Sequence, residues 1–324
     1  MTVFILRRLA QTLLVLFVTS ALVFGGLFLV GDPIEILVNP NADQEEKLRA
    51  AVALGLDRPV LEQYWIFLKG AIGGDLGRSF VFGRPAMEVI LERMPATLEL
   101  AVLAMVISVA LGVPLGLYAG LRPHGFASKA IMAGSILGFS LPTFWVGLLL
   151  ILVFAVQLGW LPSTGRGPTE AFLGVQLSIL GWEGLRYALL PAINLALFKL
   201  SLIIRLTRAQ VREQVMLDYI KFARAKGLPR ARVIGVHLLK NIMIPLVTVI
   251  GLELGSVIAF AIVTESIFAW PGMGKLVIDS IFQLDRPVVV AYLMVVVFMF
   301  ILINLVVDLL YAALDPRVRL AEAK

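Results

Sequence analysis

Asp218-Tyr219-Ile220-Lys221-Phe222-Ala223-Arg224-Ala225-Lys226-Gly227-Leu228-Pro229 stands in the middle of a polar stretch, 205–240, that separates two apolar blocks. An acidic residue at the start, good helix formers through the middle, Gly227 where a left-handed cap would sit and Pro229 just beyond describe a short helix with defined ends. Tyr219, Phe222, Ala223 and Lys226 fall at i, i+3, i+4 and i+7. One face therefore offers two aromatics beside a small residue that permits close approach. The stretch from Arg205 to Lys240 carries nine basic side chains and only two acidic ones, Glu213 and Asp218. Such a loop either lies on anionic lipid or presents its aromatic face to a protein, and the residues alone leave both open.

Working outward, the flanking blocks Tyr187 to Ile204 and Ile242 to Thr264 are apolar or small at every position but one each, Lys199 and Glu253. Four more blocks, Leu9 to Val30, Leu100 to Leu121, Ala130 to Gly165 and Pro287 to Val307, carry no charge, and the third is long enough for a tilted helix plus an exit loop. A helix must cross about 30 Å of hydrocarbon at about 1.5 Å per residue, so each block is long enough for one span. With 60% hydrophobic and 15% charged residues in 324, the chain exceeds what one soluble core hides, since ordinary domains hold about 25% charged residues. The expected fold is an all-α membrane protein of six transmembrane helices. It divides into 1–30 (tail and first helix), 31–99 (an outer segment), 100–314 (a five-helix bundle with the loop 205–240) and 315–324 (a tail).

The basic residues set the expected orientation. Segments 1–8, 122–129, 205–240 and 315–324 hold 16 Lys and Arg in 62 residues, whereas 31–99, 159–187 and 265–287 hold 11 in 121. Basic residues resist translocation, so both termini and the loop face the cytoplasm. The net charge of +6 is thus a topology signal, and no basic face on a soluble domain supports nucleic-acid binding. The first block follows Arg7 and Arg8 but is too long for a signal peptide's apolar core, so it is expected to be retained as an anchor. The absence of Cys excludes disulfides, thiolate zinc sites and a thiol nucleophile.

Outside the spans, Glu45 to Leu54 and Val60 to Leu68 have helical patterning, and Gly159 to Gly165 is built of turn formers with Trp160 at headgroup level. Trp270-Pro271-Gly272-Met273-Gly274 is expected to fold a re-entrant hairpin near the outer face. Trp160, Trp270, Pro271, Gly272 and Gly274 are the expected outer gate or receptor contacts. An unpaired charge in hydrocarbon costs about 3 kcal/mol or more, so Lys199 and Glu253 should face inward. Either Glu253 lines a translocation path or it pairs with Lys199 or a second subunit. Gly112, Gly116 and Gly120, and Gly251 with Gly255, recur every fourth residue and favour close helix packing.

Ala223-Arg224-Ala225-Lys226-Gly227-Leu228, followed by Arg232-Val233 and His237-Leu238-Leu239-Lys240-Asn241, resembles the coupling loop of permease subunits of ATP-binding-cassette importers, the dipeptide and oligopeptide branch in particular. Further matching stretches are Gly74-Asp75-Leu76-Gly77, Pro95-Ala96-Thr97-Leu98-Glu99-Leu100, Pro142-Thr143-Phe144-Trp145-Val146-Gly147, Gln157-Leu158-Gly159-Trp160-Leu161-Pro162, Glu265-Ser266-Ile267-Phe268, Trp270 to Gly274, and Asp315-Pro316-Arg317. Lys221 and Lys240 depart from the general pattern, which has Glu and Pro there. The resemblance implies the type I importer permease fold in a prokaryotic inner (plasma) membrane. It also implies a second homologous permease in a heterodimer, two ATP-binding subunits and an extracytoplasmic solute-binding protein. ATP and Mg would be bound by the partners and no cofactor by this chain. Asp218, Tyr219, Phe222, Ala223, Arg224, Ala225, Lys226 and Gly227 would then form the ATPase-coupling helix.

The chain lacks an engine of its own. Around Gly274-Lys275 a phosphate-binding loop would need Gly where Ala269 stands and Ser or Thr where Leu276 stands. His124 and His237 have no metal-binding spacing, and Gly138-Phe139-Ser140-Leu141 runs into Pro142 instead of forming a nucleophile elbow. The expectation is a transport subunit for peptides and not an enzyme. The alternatives are an importer of nickel chelate, glutathione or another small solute, and an ion-coupled secondary transporter.

Overall fold

The computed structural model describes residues 2–27, 34, 38 and 43–314; the tail 315–324, with Asp315, Pro316 and Arg317, and residues 28–30 of the expected first span lie outside them. The helices are α1 (Thr2–Leu27), α2 (Gln44–Leu54), α3 (Val60–Ile72), α4 (Ala86–Leu121), α5 (Phe126–Ser140) and α6 (Thr143–Leu150). After a small hairpin of β1 (Glu170–Phe172) and β2 (Val175–Leu177) come α7 (Trp182–Gln214), α8 (Asp218–Ala225), α9 (Leu239–Phe260), α10 (Ile262–Ile267), α11 (Met273–Phe282) and α12 (Arg286–Leu314). Two stretches wind as π-helix: Ile151–Gln157 continues α6, and Val233–Leu238 leads from the turn Arg230–Arg232 into α9.

By length and composition Ala86–Leu121, Trp182–Gln214, Arg230–Phe260 and Arg286–Leu310 can each cross a membrane, and Gln11–Gly26 within α1 is a shorter apolar helix. The block expected as one tilted helix from Ala130 is instead a pair, α5 with α6 and its π extension, bent by 105°. Pro142 explains the break. It has no N–H to continue the ladder, and it drives Leu141 to extended backbone (φ −83°, ψ 135°).

The chain forms two compact units, Met1–Thr97 with Pro271–Ile301 and Leu98–Trp270 with Leu302–Lys324. The first unit groups most of the segment 31–99 with Pro271–Ile301, a stretch far away in sequence. The reason is a buried carboxylate. Asp285, fully enclosed, accepts hydrogen bonds from the N–H groups of Phe80 (3.0 Å) and Val81 (3.3 Å) and from the Ser79 hydroxyl. Met273 N–H donates to Thr97 Oγ1 at 2.8 Å, and Gly77 (φ +93°) lets the chain close against the Pro287 ring. In the same unit Asp43 caps α2 by accepting from Glu46 N–H at 2.7 Å. Tyr64 and Phe67 of α3 pack on Phe24 of α1, where Ser20 is hydrogen-bonded to the Tyr64 hydroxyl.

In the second unit α4 and α7 lie close along the glycine stripe. A Cβ built on Gly112, Gly116 or Gly120 would come within 2.7 Å of Ile203, 2.6 Å of Thr207 and the Ile204 carbonyl, and 2.6 Å of Val211. Small residues there admit the backbone of the neighbouring helix. Gly251 of α9 faces Val307 of α12 with even less space. Replacing Gly116 by Val should therefore lower thermal stability in detergent by about 1–3 kcal/mol. Gly134→Val, at a position with open space in this chain, should leave the isolated protein unchanged; equal melting temperatures for the two variants would refute the close approach.

Candidate functional site

The loop after α7 is built from its own apolar residues. Chain direction turns at Val215 to Leu217, and α8 follows with Ile220 wholly buried and Ala223 almost so. These two, three residues apart on one face, pack in a cluster with Val211 of α7, Val233 and Leu238 of the π segment, and Ile242 and Leu246 of α9. The Tyr219 hydroxyl is hydrogen-bonded to Gln214 Oε1 at 2.7 Å. At its far end α8 stops as the glycine and proline require. Gly227 has φ +73°, its N–H donates to the Arg224 carbonyl (2.9 Å), and Leu228 N–H donates to the Ala223 carbonyl (3.4 Å). That is the paired closure of a left-handed cap.

The sequence pattern put Tyr219, Phe222, Ala223 and Lys226 on one outward face, and the structure divides them. Ala223 faces inward, because the close approach its small side chain allows is made to the protein's own cluster. Tyr219 is half-buried with it. Phe222 points out, 62% exposed, with the Lys226 ammonium 4.5 Å from its ring centre. Met216 and Leu217 are exposed before it, and Asp218, Lys221, Arg224, Ala225 and Gly227 are exposed around it. Asp218 and Lys221 pair across one turn at 2.9 Å, an exposed contact of little energetic consequence. The surface left for a partner is therefore Met216, Leu217 and Phe222 ringed by charge.

Lys199 and Glu253 are brought together. The ammonium donates to the Glu253 carboxylate and to Ser256 Oγ (2.6 Å), and Ser256 donates to the same carboxylate oxygen (2.9 Å). The triad joins α7 to α9 within apolar stretches, so each charge is neutralised where neither could stand alone.

Of the residues expected at an outer gate or receptor contact, only Trp160 is exposed. Its carbonyl accepts from Arg186 at 2.9 Å and its ring packs on Phe154. Trp270, Gly272 and Gly274 are buried and Pro271 half-buried, so within this chain only Trp160 of the expected gate or receptor contacts lies open at the surface. The Trp270 N–H bonds the Glu265 carbonyl at 2.8 Å and Ala269 is forced to φ +46°, so the turn folds the indole inward.

Sequence reasoning passed over two carboxylates that organise the units. Asp285 is one; Glu99 is the other. Glu99 is buried and accepts from Arg166 Nε (3.0 Å), the Ser178 hydroxyl (2.9 Å) and the Ser178 N–H, fixing the loop around the β-hairpin to α4. Glu99 lay within a quoted motif, whereas nothing near Asp285 signalled its partners. Among the described residues no three His, Cys, Asp or Glu side chains converge as a metal site.

Residues 112–320 match the family model of the binding-protein-dependent transport system inner membrane component, and residues 1–101 match the model of the N-terminal part of such membrane components. The chain is 38% identical over 333 residues to the dipeptide transport system permease protein DppB of Escherichia coli strain K12, covering 98% of both chains. It is 38% identical over 330 residues to the di/tripeptide transport system permease protein DppB of Pseudomonas aeruginosa, again with 98% of each covered. Among solved structures, a chain of the MetNI methionine ABC transporter in an inward-facing conformation superposes with a TM-score of 0.53. The match covers 71% of this chain and 97% of that one at 17% identity, which shows a shared fold.

The α7–α9 triad yields a double-mutant test. Lys199→Met alone should destabilise the protein by about 3 kcal/mol by leaving Glu253 unpaired in an apolar setting, whereas Lys199→Met with Glu253→Leu should recover most of that loss. Thermal unfolding in detergent measures both, and additive losses would show that the two side chains do not depend on each other.

Proposed function

We propose that this chain, which belongs to the family of binding-protein-dependent transport system inner membrane components, is the permease subunit of an ATP-driven peptide importer, with α8 as the lever on which a separate ATPase acts. Peptide as the solute is supported by the peptide permeases it resembles along nearly its whole length. The finer topology follows from charge: six spans, counting α1, α4, the bent α5–α6 pair, α7, α9 and α12, with both termini and α8 on the cytoplasmic side where Lys and Arg are dense. A second homologous permease completes the pathway, two ATP-binding subunits carry ATP and Mg, and an extracytoplasmic binding protein delivers the solute.

The observation that carries this reading is the two-sidedness of α8. Its inner face is locked by Ile220 and Ala223 to the ends of α7 and α9, while Phe222 is left exposed at the outer side. A force applied at Phe222 therefore displaces two spans together. From α7 it passes to α4 through the glycine contact and returns to α9 through the Lys199–Glu253 pair. A motor that pulls α8 can thus rock the second unit without any chemistry in this chain. Glu253, already satisfied by Lys199 and Ser256, acts in this scheme as a brace between moving helices.

Phe222→Ala should leave the protein in the membrane at normal abundance. It should weaken ATPase docking about thirtyfold, the loss expected when a central aromatic anchor worth about 2 kcal/mol is truncated, and lower ATP-driven peptide uptake in proteoliposomes to match. Gly227→Val, which strains the left-handed cap by about 1–2 kcal/mol, should uncouple ATP hydrolysis from uptake. Uptake that persists without ATP while a proton gradient is maintained would mark the chain as an ion-coupled transporter and end this reading.

A further inference from the structure

The same loop holds a second feature, which shares Met216 and Arg224 with the docking face. A cavity of about 700 Å³ opens between the end of α4, the end of α7 and the flank of α8. Arg212, Arg224 and Arg230 line it, from α7, α8 and the turn after Pro229, together with Leu121, Met216 and Leu228. No Asp or Glu lines it, and among the described residues none of the three guanidinium groups has a hydrogen bond, an ion pair or an aromatic partner. The three are exposed, so their mutual repulsion is screened by solvent; an anion held among them lowers it further. Guanidinium is the side chain best matched to phosphate, which it grips with two parallel N–H donors.

We propose that this cavity binds the phosphate of an anionic phospholipid headgroup, and the proposal rests on the reading that the loop faces the cytoplasm. The position of the cavity selects a lipid over a free anion. Leu121 ends the uncharged stretch Leu100 to Leu121 and Arg122 follows it, so the rim lies where hydrocarbon gives way to headgroups. Apolar Leu121, Met216 and Leu228 share the lining with the arginines, which suits a ligand with a charged head and a greasy body. Basic pockets between spans at the cytoplasmic leaflet have this composition for that purpose. The cavity shares Met216 and Arg224 with the ATPase-facing surface, but Arg212 and Arg230 lie off α8, on α7 and on the turn after Pro229. A bound phosphate would tie Arg224 on α8 to Arg212 on α7 and so stiffen the root of the lever.

The test uses the complete transporter, purified with its partner subunits, stripped of lipid and titrated with dioleoylphosphatidylglycerol or dioleoylphosphatidylcholine under native mass spectrometry. Phosphatidylglycerol should be retained on the permease and phosphatidylcholine should not. Arg212→Gln with Arg230→Gln should weaken retention about tenfold or more, while Arg232→Gln with Lys240→Gln, the same loss of two charges outside the cavity, should not. Unchanged retention in the double variant overturns the proposal. So does displacement of the lipid by millimolar inorganic phosphate, which would mean a free-anion site, or cross-linking of positions 212 and 230 to an ATPase subunit, which would mean a protein contact. Orientation is read separately by Arg232→Cys, clean in a chain without Cys. Labelling by a membrane-impermeant thiol reagent on intact cells overturns the topology. Labelling only in inverted vesicles, with no lipid retained, overturns the lipid site alone.

Discussion

The burial of Ile220 and Ala223 against Val211, Val233, Leu238, Ile242 and Leu246 is the constraint from which the second unit takes its mechanical character. A basic loop with no apolar anchor would remain a solvated tether between two spans. Fully burying one isoleucine side chain stabilises by about 2 kcal/mol in an aqueous setting, and here that burial bridges three helices whose ends would otherwise move independently. The cap at Gly227 sets where α8 stops, and the π segment Val233–Leu238 returns the chain into α9 with Val233 and Leu238 turned to the cluster. The loop is consequently an extension of the bundle.

Charge placement follows the same economy at three levels. Lys199 and Glu253 neutralise each other inside α7 and α9, Glu99 holds Arg166 and Ser178, and Asp285 gathers Ser79, Phe80 and Val81. Removing Lys199 or Arg166 would leave an uncompensated charge, and removing the Ser79 hydroxyl would take a hydrogen bond from the enclosed Asp285 carboxylate. Each joins segments distant in sequence, so each reports a tertiary closure. Buried pairs of this kind supply little net stability compared with apolar packing. They do penalise every alternative arrangement of the segments they join, which suits a membrane bundle where helix contacts alone discriminate weakly.

What was legible in the sequence was local. The ends of α8 followed from Gly227 and Pro229, and the close approach of α4 to α7 followed from glycines every fourth residue. The pairing of Lys199 with Glu253 stood among the readings open to two opposite charges in adjacent spans. What was not legible was which of two faces an eight-residue helix would bury. Ile220 with Ala223 and Phe222 with Lys226 are both spaced for a stripe, and only the packing of Val211 and Ile242 decides between them. The break at Pro142 was signalled by that residue but obscured by an uncharged stretch long enough to span unbroken. Asp285 gave no sign at all, since Ser79 lies 206 positions away and a carboxylate at the start of a span ordinarily marks a membrane boundary.

Helix α7 shows why these features belong together. More than half of its apolar window is buried, 56%, against 28% for the stretch leading through α9. It meets α4 along the glycines, α9 through Lys199, and α8 through Val211, and it also takes Gly147 of α6 close to Asn194. A span so enclosed cannot shift without carrying its neighbours, whereas α9, with most of its apolar surface turned outward, must find lipid or a second subunit to cover it. The asymmetry distinguishes the two helices that flank the loop: α7 is the enclosed centre of the second unit, and α9 carries the larger share of uncovered apolar surface.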